Sequence, residues 1–108
     1  MNKSIREAVY DKYYGKCAYC GKAIVRQDMQ VDHIIPKRMN GADAITNYNP
    51  SCRRCNHYKR GGDVEYLRDL LLTLHKRLEN IYIVRVAIDY GLITISKFDG
   101  VFYFEKDN

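Results

Sequence analysis

Two cysteine pairs of identical spacing constrain this chain more than any other feature of its sequence. Cys17 and Cys20 form one C-x-x-C pair, and Cys52 and Cys55 form a second, with 31 residues between the pairs. A C-x-x-C turn directs two thiolates at one ion, and two such turns complete a closed tetrahedral zinc site. We therefore predict a structural zinc that clips the chain near residue 20 to the chain near residue 52.

Unligated buried cysteines and a redox dithiol are the alternatives to zinc. A redox pair would need no matching second pair, so zinc is favoured. The amino terminus has no apolar stretch of the secretory kind, and no apolar run approaches the length of a membrane span. We expect neither export nor a membrane anchor, and the cytoplasm is the expected location. Disulfides are rare in that compartment, which again favours metal binding by the thiols.

The first half of the chain predicts one helix, one hairpin and one loop. Ser4 and Glu7 have the spacing of a capping box and are followed by apolar residues at helical intervals, which predicts a helix over about 4–14. Two β-branched segments, Ile24–Arg26 and Met29–Ile34, predict a short hairpin that ends before Pro36. Residues 37–51 have scattered turn-forming residues and no period, so we expect a loop there.

The second half predicts further helices and a terminal hairpin. Residues 55–62 favour a short helix closed by two glycines, and Asp63 is placed to cap a longer helix whose apolar stripe runs from Val64 to Leu78. Residues 81–90 suit either a strand or a helix, with the helix slightly favoured by the glycine that follows. Asp99-Gly100 between aromatic segments is a strong hairpin signal. With 108 residues, a single α+β domain over 1–108 is expected.

Positive charge is concentrated in the half that carries the cysteines. The net charge is +5, but residues 1–62 hold 12 Lys/Arg against 5 Asp/Glu, a net +7, whereas residues 63–108 have a net charge of −2. This asymmetry is typical of a surface that meets a polyanion such as nucleic acid. A solvated basic surface without a partner is the alternative that charge alone leaves open.

A polar cluster lies between and beside the two cysteine pairs. The sequence reads "DHIIPK" at residues 32–37, has Asn47 five residues before Cys52, and reads "CRRCNHYK" at residues 52–59. Residue types, order and short spacings together resemble the HNH endonucleases, in the branch whose ββα-metal motif is braced by two C-x-x-C pairs. The resemblance covers about residues 17–60 and leaves residues 63–106 as a helix and hairpin extension.

The resemblance implies a role for each matching residue. His33 would be the general base that deprotonates the attacking water. Asp32 and Asn56 would hold a catalytic Mg²⁺ or Mn²⁺ ion, and Asn47 would support the backbone around the base. Lys59 would bind phosphate from the same helix. The implied fold is a zinc-braced ββα-metal motif with an amino-terminal helix, a long helix after the motif and a carboxy-terminal β-hairpin.

Elementary chemistry agrees with these implied roles. A neutral imidazole accepts a proton near neutral pH, and carboxylate and amide oxygens suit Mg²⁺. Asn56 and Lys59 would share one face of a helix, and a helix beginning at Asn56 would favour an anion there. Adjacent residues of a regular strand point to opposite faces, so we expect Asp32 and His33 at a strand end or an irregularity.

The predicted partner is DNA, and no protein partner or oligomeric state is indicated. His57 is more readily a surface residue than a further metal or phosphate ligand. Basic residues around the polar cluster are expected to bind the nucleic-acid backbone: Lys37, Arg38, Arg53, Arg54, Lys59 and Arg60. The leading hypothesis is a metal-dependent DNA endonuclease, with a setting in a phage or mobile element implied by resemblance alone. The alternatives are a non-catalytic zinc module that binds nucleic acid and an adaptor that binds protein.

Overall fold

The computed structural model describes residues 1–106 and contains five α-helices and one two-stranded sheet in that range. The strands and helices are α1 (Lys3–Asp11), β1 (Gln30–His33), β2 (Tyr48–Ser51), α2 (Arg53–Lys59), α3 (Val64–Leu72), α4 (Leu74–Glu79) and α5 (Tyr82–Asp89). Single 3-10 turns lie at Arg26–Asp28, Lys37–Met39, Ile45–Asn47 and Tyr103–Glu105. The predicted α+β class is confirmed, and β1, β2 and α2 form the ββα order.

The predicted amino-terminal helix is confirmed as α1, but its cap is not the predicted one. The N-cap is Asn2, whose Oδ1 accepts a hydrogen bond from the Ile5 backbone N–H at 2.8 Å. Ser4 therefore lies inside the first turn, and the Ser4–Glu7 capping box is wrong. An Asn oxygen satisfies a free N–H of the first turn as well as a serine hydroxyl does, so the cap lies two residues earlier.

The predicted hairpin between Ile24–Arg26 and Met29–Ile34 is wrong. Residues 26–28 form a 3-10 turn, and β1 pairs instead with β2, antiparallel, in a register that sets Asp32 opposite Asn49 and His33 opposite Tyr48. β2 falls in the segment predicted as loop. Pro50 argues against a strand in the sequence, because proline cannot donate a backbone hydrogen bond. A two-stranded sheet has only edge strands, however, and proline is tolerated there.

The helices after the motif agree with their sequence signals. Asp63 caps α3 through a hydrogen bond from the Tyr66 N–H to Oδ1 at 2.8 Å. The predicted long helix is interrupted at Thr73, whose hydroxyl bonds back to the carbonyls of Asp69 and Leu70, a contact that bends helices. Residues 82–89 are helical, which resolves the ambiguity over 81–90 in favour of the helix.

The prediction of a carboxy-terminal hairpin is wrong. Residues 92–106 contain no strand; instead the Tyr103 and Phe104 N–H groups donate to the carbonyls of Tyr19 and Ala18 at 3.1 and 2.8 Å. The Phe102 ring then lies against Tyr19 edge to face, with centroids 5.4 Å apart. The tail is therefore held by the first cysteine turn, and this contact satisfies the backbone groups that a hairpin would have paired.

One core joins the cysteine turns, the sheet and the extension. It consists of ten buried side chains: Val9, Cys17, Ala18, Tyr19, Ile24, Met29, Tyr48, Cys52, Leu67 and Phe102. Leu67 comes from the predicted apolar stripe, and Val64 and Leu71 of the same stripe pack around the core. Within residues 1–106 the helices are too short or too polar to cross a bilayer.

Candidate active site

The four cysteine sulfurs meet at one point beside the sheet. Cys17 and Cys20 lie on the turn after α1, Cys52 is the N-cap of α2, and Cys55 lies in the first turn of α2. Their Sγ atoms all lie within 4.8 Å of one another. Sulfurs bound to one tetrahedral zinc at about 2.3 Å are about 3.8 Å apart. The four thiols are therefore positioned to form a zinc site, as the spacing predicted.

Hydrogen bonds and charge within the cluster also suit a cation. The Cys52 N–H lies 3.4 Å from Cys17 Sγ, and the Cys55 N–H lies 3.3 Å from Cys52 Sγ. The Cys55 thiol beside it lowers the pKa of Cys17 to about 4, while Cys17 raises the pKa of Cys55. One thiolate thus suppresses ionisation of its neighbour, and a metal cation is what allows several thiolates to coexist.

Asp32 and His33 occur at the end of β1, and their side chains have different surroundings. His33 is the last residue of β1 and its side chain is 28% exposed, whereas Asp32 is only 7% exposed. The Asp32 carboxylate accepts a hydrogen bond from the Tyr19 hydroxyl and pairs with Lys59 Nζ at 3.0 Å. Asp32 is therefore anchored inside, while His33 reaches the surface of the site.

Lys59 is the most buried charged residue of the site. Its side chain is 1% exposed, and its ammonium contacts the Asp32 carboxylate, the His33 carbonyl at 3.1 Å and the Gly62 carbonyl. An ammonium group has three N–H donors, and all three are used here. The prediction that Lys59 binds phosphate is corrected: this lysine neutralises Asp32 and ties α2 to the end of β1.

Asn47 connects the loop after β1 to the start of β2. Its Nδ2 donates to the carbonyls of Ile35 and Ala42 at 3.0 and 2.9 Å, and its Oδ1 accepts from the Ile35 N–H at 2.9 Å. The Ile34 N–H also donates to the Asn47 backbone carbonyl at 2.8 Å. This side chain therefore braces the backbone on the carboxy-terminal side of His33.

Asn56 lies inside α2, not at its beginning. The helix begins at Arg53, so the helix-terminus argument for an anion at Asn56 is corrected. Asn56 precedes Lys59 by three residues and thus lies on the helix face that approaches β1. Its side-chain amide makes no hydrogen bond to any residue in the range 1–106, which leaves the oxygen free for a ligand.

The predicted basic residues divide between two surfaces. A cleft of about 400 Å³ at the end of β1 is lined by Asp32 and His33 together with Lys37, Arg38, Lys59 and Arg60. A second cleft of about 500 Å³ is lined by Arg53, Arg54 and His57 with Lys22 and Asp28. Asn56 lines neither cleft. The cleft at the end of β1 thus gathers most of the predicted polar cluster.

Two residues near the site escaped the sequence analysis. Tyr19 donates to Asp32, and Asp43 Oδ1 lies 2.9 Å from His33 Nε2. The signal for Tyr19 was its place inside the first C-x-x-C pair, where an aromatic residue next to a metal turn becomes part of the core. Asp43 had no signal other than its place in a Gly/Asn-containing loop.

Asp32 and Asn56 carry the types of donor atom that hard divalent ions prefer. Asp32 offers a carboxylate and Asn56 an amide oxygen without a hydrogen bond, and oxygen donors of these kinds suit Mg²⁺ or Mn²⁺. Because Lys59 already lies 3.0 Å from Asp32, an ion there would share the carboxylate with the ammonium. Among residues 1–106, the cysteine cluster is the single group of three or more Cys, His, Asp or Glu side chains close enough to hold a metal.

Comparison with known proteins assigns part of the chain to a family. A family model described as HNH endonuclease matches residues 17–61, which is somewhat less than half of the chain. A search of curated proteins found no match. The matched segment begins at the first cysteine, ends just after α2 and contains the four thiols, both strands and the cleft at the end of β1. Residues 17–61 are therefore the part of the chain that is similar to HNH endonucleases, and we call this part the HNH domain.

Proposed function

We propose that the chain is a metal-dependent endonuclease that hydrolyses phosphodiester bonds in DNA. The HNH domain already indicates a nuclease or nucleic-acid-binding role. The observation that carries the proposal further is His33 at the mouth of a basic cleft, with its backbone braced by Asn47. A module that only binds nucleic acid needs no partly exposed imidazole fixed at such a point.

In the proposed reaction the base is the neutral imidazole of His33. The imidazole accepts a proton from water, the water oxygen bonds to phosphorus, and the bond from phosphorus to the 3′ oxygen breaks. The 3′ alkoxide then takes a proton from solvent, so the products are a 3′-hydroxyl and a 5′-phosphate. Lys37, Arg38 and Arg60 around the cleft hold the phosphates on either side, where contacts give affinity without choice of sequence.

Two metals have separate roles in this proposal. The four cysteines would hold zinc between α2 and the turn after α1, and four thiolate ligands would leave no coordination position for water. Asp32 and Asn56 are the residues proposed to hold the catalytic Mg²⁺ or Mn²⁺, which when bound supplies stabilisation of the charge on the leaving oxygen. The protein's own contribution is to hold Asp32 rigid through Tyr19 and Lys59.

Nicking of supercoiled plasmid tests the proposal. The zinc-loaded protein is expected to nick with Mg²⁺ or Mn²⁺ and to stop nicking when EDTA chelates those ions. His33→Ala is expected to lower the rate about a hundredfold or more, since general base catalysis contributes about 10²–10⁴-fold. His75→Gln, a histidine change on α4 outside the HNH domain, is the matched control and should retain the rate.

The same experiment separates the enzyme from a binding module. A gel-shift assay at low salt measures DNA affinity for the parent and for His33→Ala, which should be alike. If both proteins bind DNA and neither cuts it with any divalent metal, the endonuclease proposal is wrong and the non-catalytic module is the function that remains.

A further inference from the structure

Asp43 contacts two residues of the candidate site, His33 and Lys37, through one carboxylate. Its Oδ1 lies 2.9 Å from His33 Nε2, and its Oδ2 lies 3.1 Å from Lys37 Nζ. The hydrogen bond with His33, and next to it the hydrogen bond with Lys37, hold the pKa of Asp43 below its ordinary value. The carboxylate is therefore ionised at neutral pH, and it accepts a hydrogen bond from whichever ring nitrogen carries a proton toward it.

The backbone on both sides of Asp43 is fixed, although the side chain itself is exposed. Asn47 Nδ2 donates to the carbonyl of Ala42 at 2.9 Å, and the Asn47 backbone N–H donates to the carbonyl of Ala44 at 2.8 Å. Gly41 lies so close to the Ile35 carbonyl that a Cβ there would be 1.7 Å from the oxygen. A short side chain on so constrained a loop has little freedom to leave His33.

Asp43 approaches His33 from outside the cleft. His33 lines the cleft at the end of β1, and Asp43 does not. The ring is also in edge contact with Tyr48, its cross-strand partner, at a centroid distance of 5.1 Å. Two neighbours thus fix the rotation of the imidazole, and neither of them lines the cleft at the end of β1.

The contact with Asp43 selects one tautomer of His33. A carboxylate can only accept, so the neutral ring must carry its proton on Nε2, and the lone pair lies on Nδ1. Nδ1 has no hydrogen-bond partner in residues 1–106, yet it is not among the nitrogens that are sealed from solvent there. It is therefore the ring atom accessible to a water molecule.

We propose that Asp43 is the positioning residue of His33: it holds the Nε2-protonated tautomer so that Nδ1 takes the proton from the attacking water. The inference rests on the proposed endonuclease function. The water proton passes to Nδ1, the Nε2–H stays bonded to Asp43, and the imidazolium that forms is stabilised by the carboxylate. The same carboxylate–imidazole arrangement orients the base in hydrolases of unrelated fold.

Kinetics of Asp43 variants test the inference. Asp43→Ala is expected to lower kcat about tenfold to a hundredfold with less than a threefold change in KM. This loss is smaller than the loss expected when the general base itself is removed. Asp43→Asn keeps an oxygen that accepts from Nε2–H and should give an intermediate kcat. Asp89→Ala removes another exposed carboxylate, at the end of α5 and outside both clefts, and should leave kcat unchanged.

A double-mutant comparison decides whether Asp43 acts through His33. In a His33→Ala background, Asp43→Ala should cause no further loss, since the group that it positions is gone. An equal loss in both backgrounds, or an unchanged or raised kcat of Asp43→Ala, would overturn the inference.

A measurement that needs no activity keeps this inference separate from the proposed function. Nitrogen-15 NMR of the histidine rings in the zinc-loaded protein, without DNA, should show His33 protonated at Nε2 with a slowly exchanging proton. In Asp43→Ala that proton should exchange too fast to observe. Identical ring spectra for the two proteins overturn the positioning role. If the parent protein does not cut DNA, the endonuclease proposal is wrong, and the spectra still decide what holds His33.

Discussion

The buried pair of Asp32 and Lys59 has a larger energetic effect than any surface ion pair of this protein. Both side chains are nearly inaccessible to water, and the pair is completed by the Tyr19 hydroxyl and two backbone carbonyls. Removing one partner of such a pair leaves the other as an uncompensated buried charge, which costs about 3–5 kcal/mol. Exposed pairs such as Lys37–Asp43 are worth about 0–1 kcal/mol.

We predict that Lys59→Ala lowers the free energy of unfolding by about 3–5 kcal/mol, because the Asp32 carboxylate would remain buried without its cation. Urea unfolding followed by circular dichroism measures the change. Lys22→Ala, a lysine removed from the exposed surface, is the control and should change stability by less than about 0.5 kcal/mol. A loss below about 1 kcal/mol in Lys59→Ala would contradict the buried pair.

The sequence could not distinguish a buried lysine from a phosphate-binding one. The family resemblance and the helix face shared with Asn56 predict phosphate binding by Lys59, and lysine is almost never fully buried. Its burial follows from the pairing of β1 with β2, which brings α2 across the end of β1. Asn47 was easier to interpret, because its role depends on local backbone that lies within twelve residues of it.

At the scale of elements, the predictions that rest on local sequence signals are confirmed, whereas the predicted strand pairings are wrong. α1, α2 and α5, and the Asp63 cap, follow from periodicity and capping within a few residues. The partner of β1 lies 15 to 21 residues away and contains a proline, so nearby β-branched residues were mistaken for it. The predicted terminal turn at Asp99-Gly100 does form, with the Val101 N–H bonded to Asp99 Oδ1, but the aromatic residues after it pack on the first cysteine turn.

We predict that the protein binds one zinc ion per chain. When a zinc-selective chelator removes the ion, α2 should no longer pack against the turn after α1. The thiols bring together the turn after α1 and the beginning of α2, and structural zinc contributes directly to folding free energy. Mass spectrometry of the native protein gives the stoichiometry. The urea midpoint of the chelated protein should fall well below that of the zinc-loaded one.

A matched pair of variants locates this effect at the cluster. Cys20→Ser removes one ligand at its most exposed member and should lower zinc affinity. The control is a variant that changes the number of thiols away from the cluster. Ser96→Cys on the exposed surface of the extension serves this purpose, whereas Ser51→Cys does not, because Ser51 is fully buried beside the cluster. An unaltered urea midpoint after complete removal of zinc would contradict a structural role for the metal.

At the scale of the whole molecule, charge and core are distributed differently. Twelve of the 18 Lys/Arg residues belong to the first 62 positions, whereas the core also includes Leu67 and Phe102 from the extension. The extension therefore completes the hydrophobic support of the cysteine turn and adds no net positive charge. The molecule extends 50 Å along its long axis, with the HNH domain as the part that carries the basic clefts.

We propose that this protein hydrolyses DNA at the bond between phosphorus and the 3′ oxygen, and the chemical ends of its products show whether that bond is the one that breaks. Plasmid nicked by the zinc-loaded protein with Mg²⁺ is purified and incubated with DNA ligase alone. Ligase joins a 3′-hydroxyl to a 5′-phosphate, so we expect it to reseal the nicked plasmid without prior treatment of the ends. Nicks that ligase cannot seal, or a plasmid that stays intact with every divalent metal, would contradict it.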